Sequence, residues 1–93
     1  MLLGNKNHTA GNTIRYEIDY SDWLDTGDSL VTATVTGAPA GVTISGVVVL
    51  TSQVVAFVMA GGVVNTNFTL AVAITDTRGE IKNDTIGFAI QAP

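Results

Sequence analysis

Three aspartates lie close together in the segment YSDWLDTGD, which runs from Tyr20 to Asp28. Loop carboxylates suit Ca²⁺, since this ion takes about six to eight oxygen ligands. Asp22, Asp25 and Asp28 are therefore calcium candidates, although the segment lacks the closing bidentate Glu of an EF-hand loop. In the competing interpretation, Ser21 or Asp22 caps a single helical turn and Asp28 accepts hydrogen bonds from backbone N–H groups. The structural interpretation is favoured, and no metal or other cofactor is predicted.

Residues suited to catalysis are scarce in this chain. His8 is the only histidine and there is no cysteine, so a triad lacks a rigidly held base and thiol chemistry is excluded. A glycosidase-like carboxylate pair needs a cleft for its substrate, which a small sandwich rarely contains. His8 is predicted to be an exposed bystander, and the chain is predicted not to be an enzyme.

The segment YSDWLDTGD also contains the only tryptophan. Tyr20 ends an alternating run in which it shares one face with Tyr16 and two isoleucines, so both tyrosines are expected in the core. Trp23 is predicted to close one end of the fold, and Gly27 to supply permissive backbone before the next strand. Tyr20, Trp23, Gly27 and Asp28 are therefore predicted to form a structural corner. In the alternative interpretation, Tyr16, Tyr20 and Trp23 stack on a bound sugar.

Alternation of apolar and polar residues dominates the rest of the chain, and β-branched residues fill the alternating runs. This pattern is typical of half-buried strands. The predicted strands cover residues 14–20, 30–36, 42–44, 47–50, 54–59, 68–74 and 86–90. Asp76-Thr-Arg-Gly79 predicts a tight turn between the last two strands, with Glu80 and Asp84 as further acids beside it. The prediction is an all-β fold of about seven strands, a sandwich in preference to a small barrel.

The distribution of charged and apolar residues argues against nucleic acid and a membrane as partners. The 93 residues carry a net charge of −4, and the four basic side chains are scattered, so no basic stripe is available to bind nucleic acid. The longest apolar run, residues 54–64, is shorter than the roughly 20 residues that span a bilayer. The first residues lack the apolar run of a secretory signal. We predict no nucleic-acid binding, no membrane segment and no signal peptide.

Residues 29–75 contain no charged side chain. Exposed strands usually carry charges that discourage edge pairing, so this stretch indicates surfaces covered in an assembly, with a neutral threonine-rich surface as the alternative. Residues 1–11 are predicted to form a frayed tail, or an arm ordered on a neighbouring subunit, beside a domain of residues 12–93. The candidate interface residues are Leu2, Leu3, Val54, Phe57 and Met59.

Several of these elements occur in one order that is known from a protein family. A strand ending in IDYSDWL precedes GDSL at residues 27–30, then AGVTI at 40–44, a Gly-Gly turn and VAITDTRG at 72–79. Over residues 14–90 this order resembles the small immunoglobulin-like virion proteins of tailed bacteriophages, including those described as fibre–tail adaptors. The DWL and GD elements carry most of the resemblance, because many bacterial immunoglobulin-like domains share the closing hairpin.

The resemblance implies an immunoglobulin-like β-sandwich that acts as a non-catalytic virion component. Such a protein joins parts of the particle, as a fibre–tail adaptor, or decorates the capsid. Its implied partners are other virion proteins, in many copies or as a homo-oligomer, and its implied location is the virion. The alternative, from a different class of function, is a small carbohydrate- or calcium-binding module used in host attachment.

Overall fold

The computed structural model describes residues 2–93, and of Leu2 only the backbone. The described residues form seven strands and no helix, so the all-β prediction is confirmed. No element among residues 2–93 is a helix long and apolar enough to cross a membrane. The strands are β1 (Leu2–Thr9), β2 (Thr13–Asp19), β3 (Leu30–Thr36), β4 (Val42–Leu50), β5 (Val54–Gly61), β6 (Asn67–Asp76) and β7 (Ile81–Gln91).

The strands form two sheets that pack as a sandwich, as predicted. β1, β7, β6 and β3 form one sheet in this order, and β2, β5 and β4 form the other. Neighbouring strands are antiparallel, except that β1 runs parallel to β7. The order 3-6-7 is that of one sheet of an immunoglobulin constant-type domain, and 2-5-4 is part of its other sheet, whose first strand lies here beside β7 instead of β2. The topology is therefore consistent with an immunoglobulin-like arrangement.

The hydrophobic core lies between the sheets and is built mainly from one face of the central strands β5, β6 and β7. Side chains of a strand alternate between its two faces, and here the inward positions carry large apolar residues. Burying each of these side chains contributes about 1.5–3 kcal/mol to folding. The fully or nearly fully buried members are Tyr20, Leu30, Val55, Phe57, Met59, Leu70, Val72, Ile74, Ile86, Phe88 and Ile90.

Strand β1 occupies the segment that the sequence assigned to a tail or arm. It pairs with β7 along most of its length, and His8 lies on its inner face. The His8 ring is buried, with Nδ1 2.8 Å from the Tyr16 hydroxyl and Nε2 3.1 Å from the Asn12 carbonyl oxygen. The prediction of an exposed His8 is therefore wrong. An edge strand buries few side chains and can therefore be mostly polar. For this reason the polar sequence of β1 did not identify it as a strand.

A bulge merges two of the predicted strands. The runs 42–44 and 47–50 form the single strand β4, whose register against β5 shifts after Ser45. Gly46 lies at the shift with φ of +60°, a conformation that favours glycine. Such a bulge bends a strand without ending it. The predicted number of seven strands is thus correct. However, two predicted strands are the single strand β4, and β1 was not predicted as a strand.

A second irregularity lies at the start of β3. The register against β6 shifts between Leu30 and Thr32. The alternation of the sequence predicts that Val31 points inward, but the shift places Leu30 in the core and leaves Val31 55% exposed. A register change of one residue moves a side chain to the opposite face, which accounts for the difference.

Three connections meet at one end of the sandwich. The corner, residues 20–29, crosses from β2 to β3, while residues 51–53 join β4 to β5 and residues 77–80 join β6 to β7. Backbone N–H groups at both ends of the corner donate to the 51–53 turn, and the Thr77 N–H donates to the Ser29 carbonyl at 3.0 Å. The corner therefore connects a hairpin of each sheet.

Candidate functional site

The corner places two of its four predicted residues, Tyr20 and Trp23, at the end of the core. Tyr20 is buried, and Trp23 is half-buried with its ring edge-on to Tyr20 and the centroids 6.4 Å apart. The backbone N–H of Trp23 donates to the Tyr20 carbonyl oxygen at 3.0 Å, which closes a single turn after β2. Gly27 has φ of +84°, in the left-handed region. These contacts support the corner interpretation.

The turn after β2 is capped by Asp19, whereas Ser21 or Asp22 was predicted to do so. The Ser21 N–H donates to Asp19 Oδ1 at 2.8 Å, and this hydrogen bond lowers the pKa of Asp19. Aspartate commonly accepts from the N–H two residues later. Asp22 is exposed on the turn.

Asp28 attaches the corner to the hairpin between β6 and β7. Its Oδ1 accepts from the Ser29 N–H at 2.8 Å and from the Thr77 N–H at 3.3 Å, and the Thr77 hydroxyl donates to the same oxygen. The hydroxyl of Thr77 lowers the pKa of Asp28, against the opposing effect of burial. The predicted role of Asp28 as an acceptor for backbone N–H groups is therefore seen in the structure.

Asp76 is the last residue of β6 and organises the predicted tight turn. Its Oδ1 accepts from the backbone N–H of Arg78 at 3.0 Å and from the backbone N–H of Glu80 at 2.8 Å. The Gly79 N–H donates to the Asp76 carbonyl oxygen at 3.2 Å. The predicted β6–β7 hairpin is therefore confirmed. Asp76 itself is buried at the base of the turn.

Arg78 reaches from this hairpin back to the corner. Its guanidinium lies 2.7 Å from Asp25 Oδ2 and 3.5 Å from Asp28 Oδ2, and it also pairs with Glu80. Burial works against the charged form, but the carboxylates of Glu80 and Asp25 outweigh it and raise the pKa of Arg78. A small cleft of about 130 Å³ opens here between the corner and the hairpin.

Two buried carboxylate oxygens face this region without a hydrogen-bond donor. Within residues 2–93, no group donates a hydrogen bond to Asp28 Oδ2 or to Asp76 Oδ2. One carboxylate oxygen from each of Asp28, Asp76 and Glu80 lies within 4.8 Å of the others; we call these three residues the acidic group. The structure thus brings one of the predicted calcium candidates, Asp28, together with two acids of the last hairpin. Asp22 and Asp25 are not members of the group.

Asp84 has a different environment from the other hairpin acids. It is buried on the inner face of β7, where Tyr20 donates its hydroxyl to Oδ2 at 3.1 Å and Lys82 donates to Oδ1 at 2.6 Å. Burial favours a raised pKa for Asp84, but the hydrogen bonds from Lys82 and Tyr20 outweigh it and lower the pKa. Burial and the Asp84 charge raise the pKa of Tyr20. The sequence signal for this site was the alternation that places Asp84 in phase with Ile86 and Phe88.

The candidate interface residues divide between the core and the surface. Phe57 and Met59 are 0% exposed, so their assignment to an interface is wrong. They lie on the inward face of β5, and a continuous apolar run does not reveal which face points inward. Leu3 is half-buried against the core, and Val54 is half-buried on the opposite face of β5. The side chain of Leu2 lies outside the described part of the chain.

The uncharged residues 29–75 lie together in the structure. They form β3, β4, β5 and nearly all of β6. β3 and β4 are edge strands of different sheets and lie beside each other, whereas the edge strand β2 carries Arg15, Glu17 and Asp19. The exposed residues of β3 and β4, which we call the uncharged side, are Val31, Thr32, Thr34, Thr36, Thr43, Ser45, Gly46 and Val48.

Comparison with known proteins identifies one family. Residues 8–89 match the family model described as "Podophage GP4 fiber-tail adaptor protein gp77". The match begins on β1 and ends on β7, so it covers both sheets and the corner. The resemblance to fibre–tail adaptors seen in the sequence is therefore confirmed. Curated proteins give no match to this chain.

Proposed function

Because the chain belongs to the family of the podophage GP4 fiber-tail adaptor protein gp77, we propose that it joins fibre and tail in the virion. It acts as a non-catalytic component, through protein–protein contacts, with other virion proteins as its partners. The family supports this role, since an adaptor works by shape and surface. The location that follows from the role is the virion.

In this proposal the uncharged side is the surface that contacts the partner. The lack of charged side chains on β3 and β4 is the observation that supports the proposal most directly. Edge strands of soluble proteins usually carry charges that prevent association with other strands. Here two edge strands lie side by side with hydroxyl and apolar side chains only, and Val48 is 46% exposed. A surface of this kind favours a partner protein, because burying it costs no desolvation of charge. The occupant that we propose is a neighbouring virion protein.

Charge insertion tests this assignment directly. We expect Thr34→Lys on β3 to prevent co-purification with particles assembled in its presence, since a buried unpaired ammonium group is strongly unfavourable. Thr34 is exposed in the isolated chain, so the melting temperature should change little. The matched control is Thr13→Lys, which adds the same charge to the edge strand β2, where charged residues already occur.

Two results would contradict the proposed contact surface. One is normal incorporation of Thr34→Lys into particles, and the other is equal loss of incorporation in both lysine variants. Light scattering on the purified chain measures whether copies associate, as expected for a component that acts in many copies. A monomer that is also absent from purified particles would exclude the virion role itself.

The position of the chain in an electron-microscopy map of the particle separates an adaptor from a capsid decoration protein. Density at the junction of tail and fibre supports the adaptor, and density spread over the shell supports decoration.

A host-attachment module that binds carbohydrate is the second candidate. One observation favours it, namely a shallow depression of about 650 Å³ on the four-stranded sheet. Its lining includes the amide side chains of Asn5, Asn7 and Asn67 around Gly87, which can bond to sugar hydroxyls. A glycan array without signal would exclude this candidate.

A further inference from the structure

We propose that the acidic group, Asp28, Asp76 and Glu80, binds a hard divalent cation, with Ca²⁺ as the best match. The site lies between the corner and the β6–β7 hairpin, and it is independent of the contact surface proposed above. A bound cation would join the segment before β3 to the end of β6 and the turn that follows it.

The spacing of the three carboxylates fits a single cation. Ca²⁺ binds oxygen ligands at about 2.3–2.6 Å, so two ligands of one ion lie at most about 4.6–5.2 Å apart. One oxygen from each member of the acidic group lies within 4.8 Å of the other two. The ligand set is made of oxygen only, which suits Ca²⁺ and Mg²⁺ and disfavours the softer transition metals.

The buried oxygens supply a second and independent reason. The side chain of Asp28 and the whole of Asp76 are each 3% exposed. Within the described residues, their Oδ2 atoms accept no hydrogen bond. Buried carboxylate oxygens of folded proteins almost always have a partner. A cation between the two carboxylates would supply a partner to both.

The positive charge present in the chain is too small for this cluster. Arg78 is shared among Asp25, Asp28 and Glu80, and its Nε lies 3.5 Å from Asp28 Oδ2, beyond hydrogen-bonding distance. One guanidinium therefore faces four carboxylates when Asp76 is included. A divalent cation would offset most of the remaining charge, with water completing its coordination through the adjoining cleft.

The affinity expected for such a site is modest. Three carboxylates, one of them on the surface, resemble the weaker extracellular calcium modules, whose dissociation constants are about 10⁻⁴–10⁻³ M. At a CaCl₂ concentration ten times the dissociation constant, linkage predicts a rise in melting temperature of about 6–11 °C for a domain of this size.

The experiment measures thermal unfolding of the full chain in EDTA and in CaCl₂ up to 10 mM, at constant ionic strength, with isothermal titration calorimetry beside it. MgCl₂ gives the comparison that identifies the preferred ion. Asp76→Asn keeps an acceptor oxygen for the turn and places an amide donor toward Asp28. We expect this variant to melt higher than the wild type in EDTA and to lose the response to CaCl₂.

Two further variants make the test specific. Glu80→Gln changes an exposed ligand, and we expect it to fold normally and to weaken CaCl₂ binding about tenfold. Asp22→Asn is the matched control, because it removes an exposed acid of the corner outside the acidic group, and the response should remain. The proposal is overturned if the wild type shows neither a shift nor binding heat. It also fails if Asp22→Asn loses as much of the response as Asp76→Asn does.

Discussion

Replacing Tyr20 with Phe tests the reasoning about the buried end of the sandwich. The substitution removes one oxygen and keeps the ring that packs in the core and against Trp23. The lost group is the hydroxyl that donates to Asp84 Oδ2 at 3.1 Å. Both residues are almost inaccessible to solvent, so water cannot replace the donor without rearrangement of the core.

The expected cost follows from the charge of the acceptor. A hydrogen bond to a charged group contributes about 1.5–3 kcal/mol, compared with about 0.5–1.5 kcal/mol for a neutral pair. We take about 2 kcal/mol for Tyr20→Phe. A domain of 60–100 residues loses roughly 4–8 °C of melting temperature per kcal/mol, so the variant should melt about 8–16 °C lower at pH 7.

The pH dependence gives the sign of the effect. The pKa of Asp84 is lowered in the folded chain, so its charged form stabilises the fold above its unfolded pKa of about 3.9. This stabilisation is lost as the pH falls through the lower folded value. Tyr20→Phe removes part of the cause of the lowered pKa. The difference between wild type and variant should therefore be largest at pH 7 and should shrink below pH 4.

The assay is thermal unfolding followed by circular dichroism between pH 2 and pH 7. Tyr16→Phe is the matched control, because it removes a hydroxyl that lies 2.8 Å from the His8 ring and leaves Asp84 unchanged. The control should preserve the wild-type acid dependence below pH 4. A loss of less than 2 °C in Tyr20→Phe at pH 7, or a loss that is equal at pH 2 and pH 7, would refute the reasoning.

Three further predictions concern other parts of the fold. Trp23→Ala should cost about 2 kcal/mol, because the ring is half-buried against Tyr20; unchanged melting with lost particle binding would instead make Trp23 an interface residue. Gly61→Ala should cost about 2–4 kcal/mol in denaturant unfolding, since φ is +84° and an added Cβ would overlap the Gly41 carbonyl oxygen; a loss under 1 kcal/mol would be inconsistent with this backbone. Removing residues 1–9 should leave a chain that aggregates in size-exclusion chromatography, because the edge of β7 is opened, whereas a free arm could be removed with no change.

Much of the fold could be predicted because the physics involved is local. Alternation identified β2, β3, β6 and β7, since one face of each is buried and the other is polar. The turn at Asp76 was predicted from residue types that favour tight turns. The hydrogen bond from the Gly79 backbone N–H to the Asp76 carbonyl oxygen confirmed this turn.

The remaining features depend on contacts between distant segments. β1 could not be recognised because its partner β7 lies at the other end of the chain, and its polar residues fit an edge strand as well as a tail. His8 was misplaced for the same reason. Arg78 was not predicted to belong to the site, because its pairing with Asp25 and Asp28 requires the hairpin to fold back on the corner.

The acidic group shows a similar limit. Asp22, Asp25 and Asp28 are neighbours in sequence, but in the structure only Asp28 lies with Asp76 and Glu80 in the acidic group. Spacing within one loop therefore pointed to one member of the acidic group, Asp28, whose binding of a cation stays a prediction. The other two come from a hairpin that follows about fifty residues later, and only the sandwich topology brings them near.

The parallel pairing of β1 and β7 has a mechanical consequence. β1 starts opposite Thr85 and ends at Thr9, which lies opposite Gln91 at the end of β7. Tension applied at the start of β1 and the end of β7 would slide the strands past each other. From Asn5 to Thr9, where the register is regular, the evenly spaced hydrogen bonds of parallel strands would then be loaded together in shear, instead of opening one after another. Resistance to forced unfolding depends on the unfolding rate, and loading in shear would keep that rate low in the fibre–tail joint proposed above.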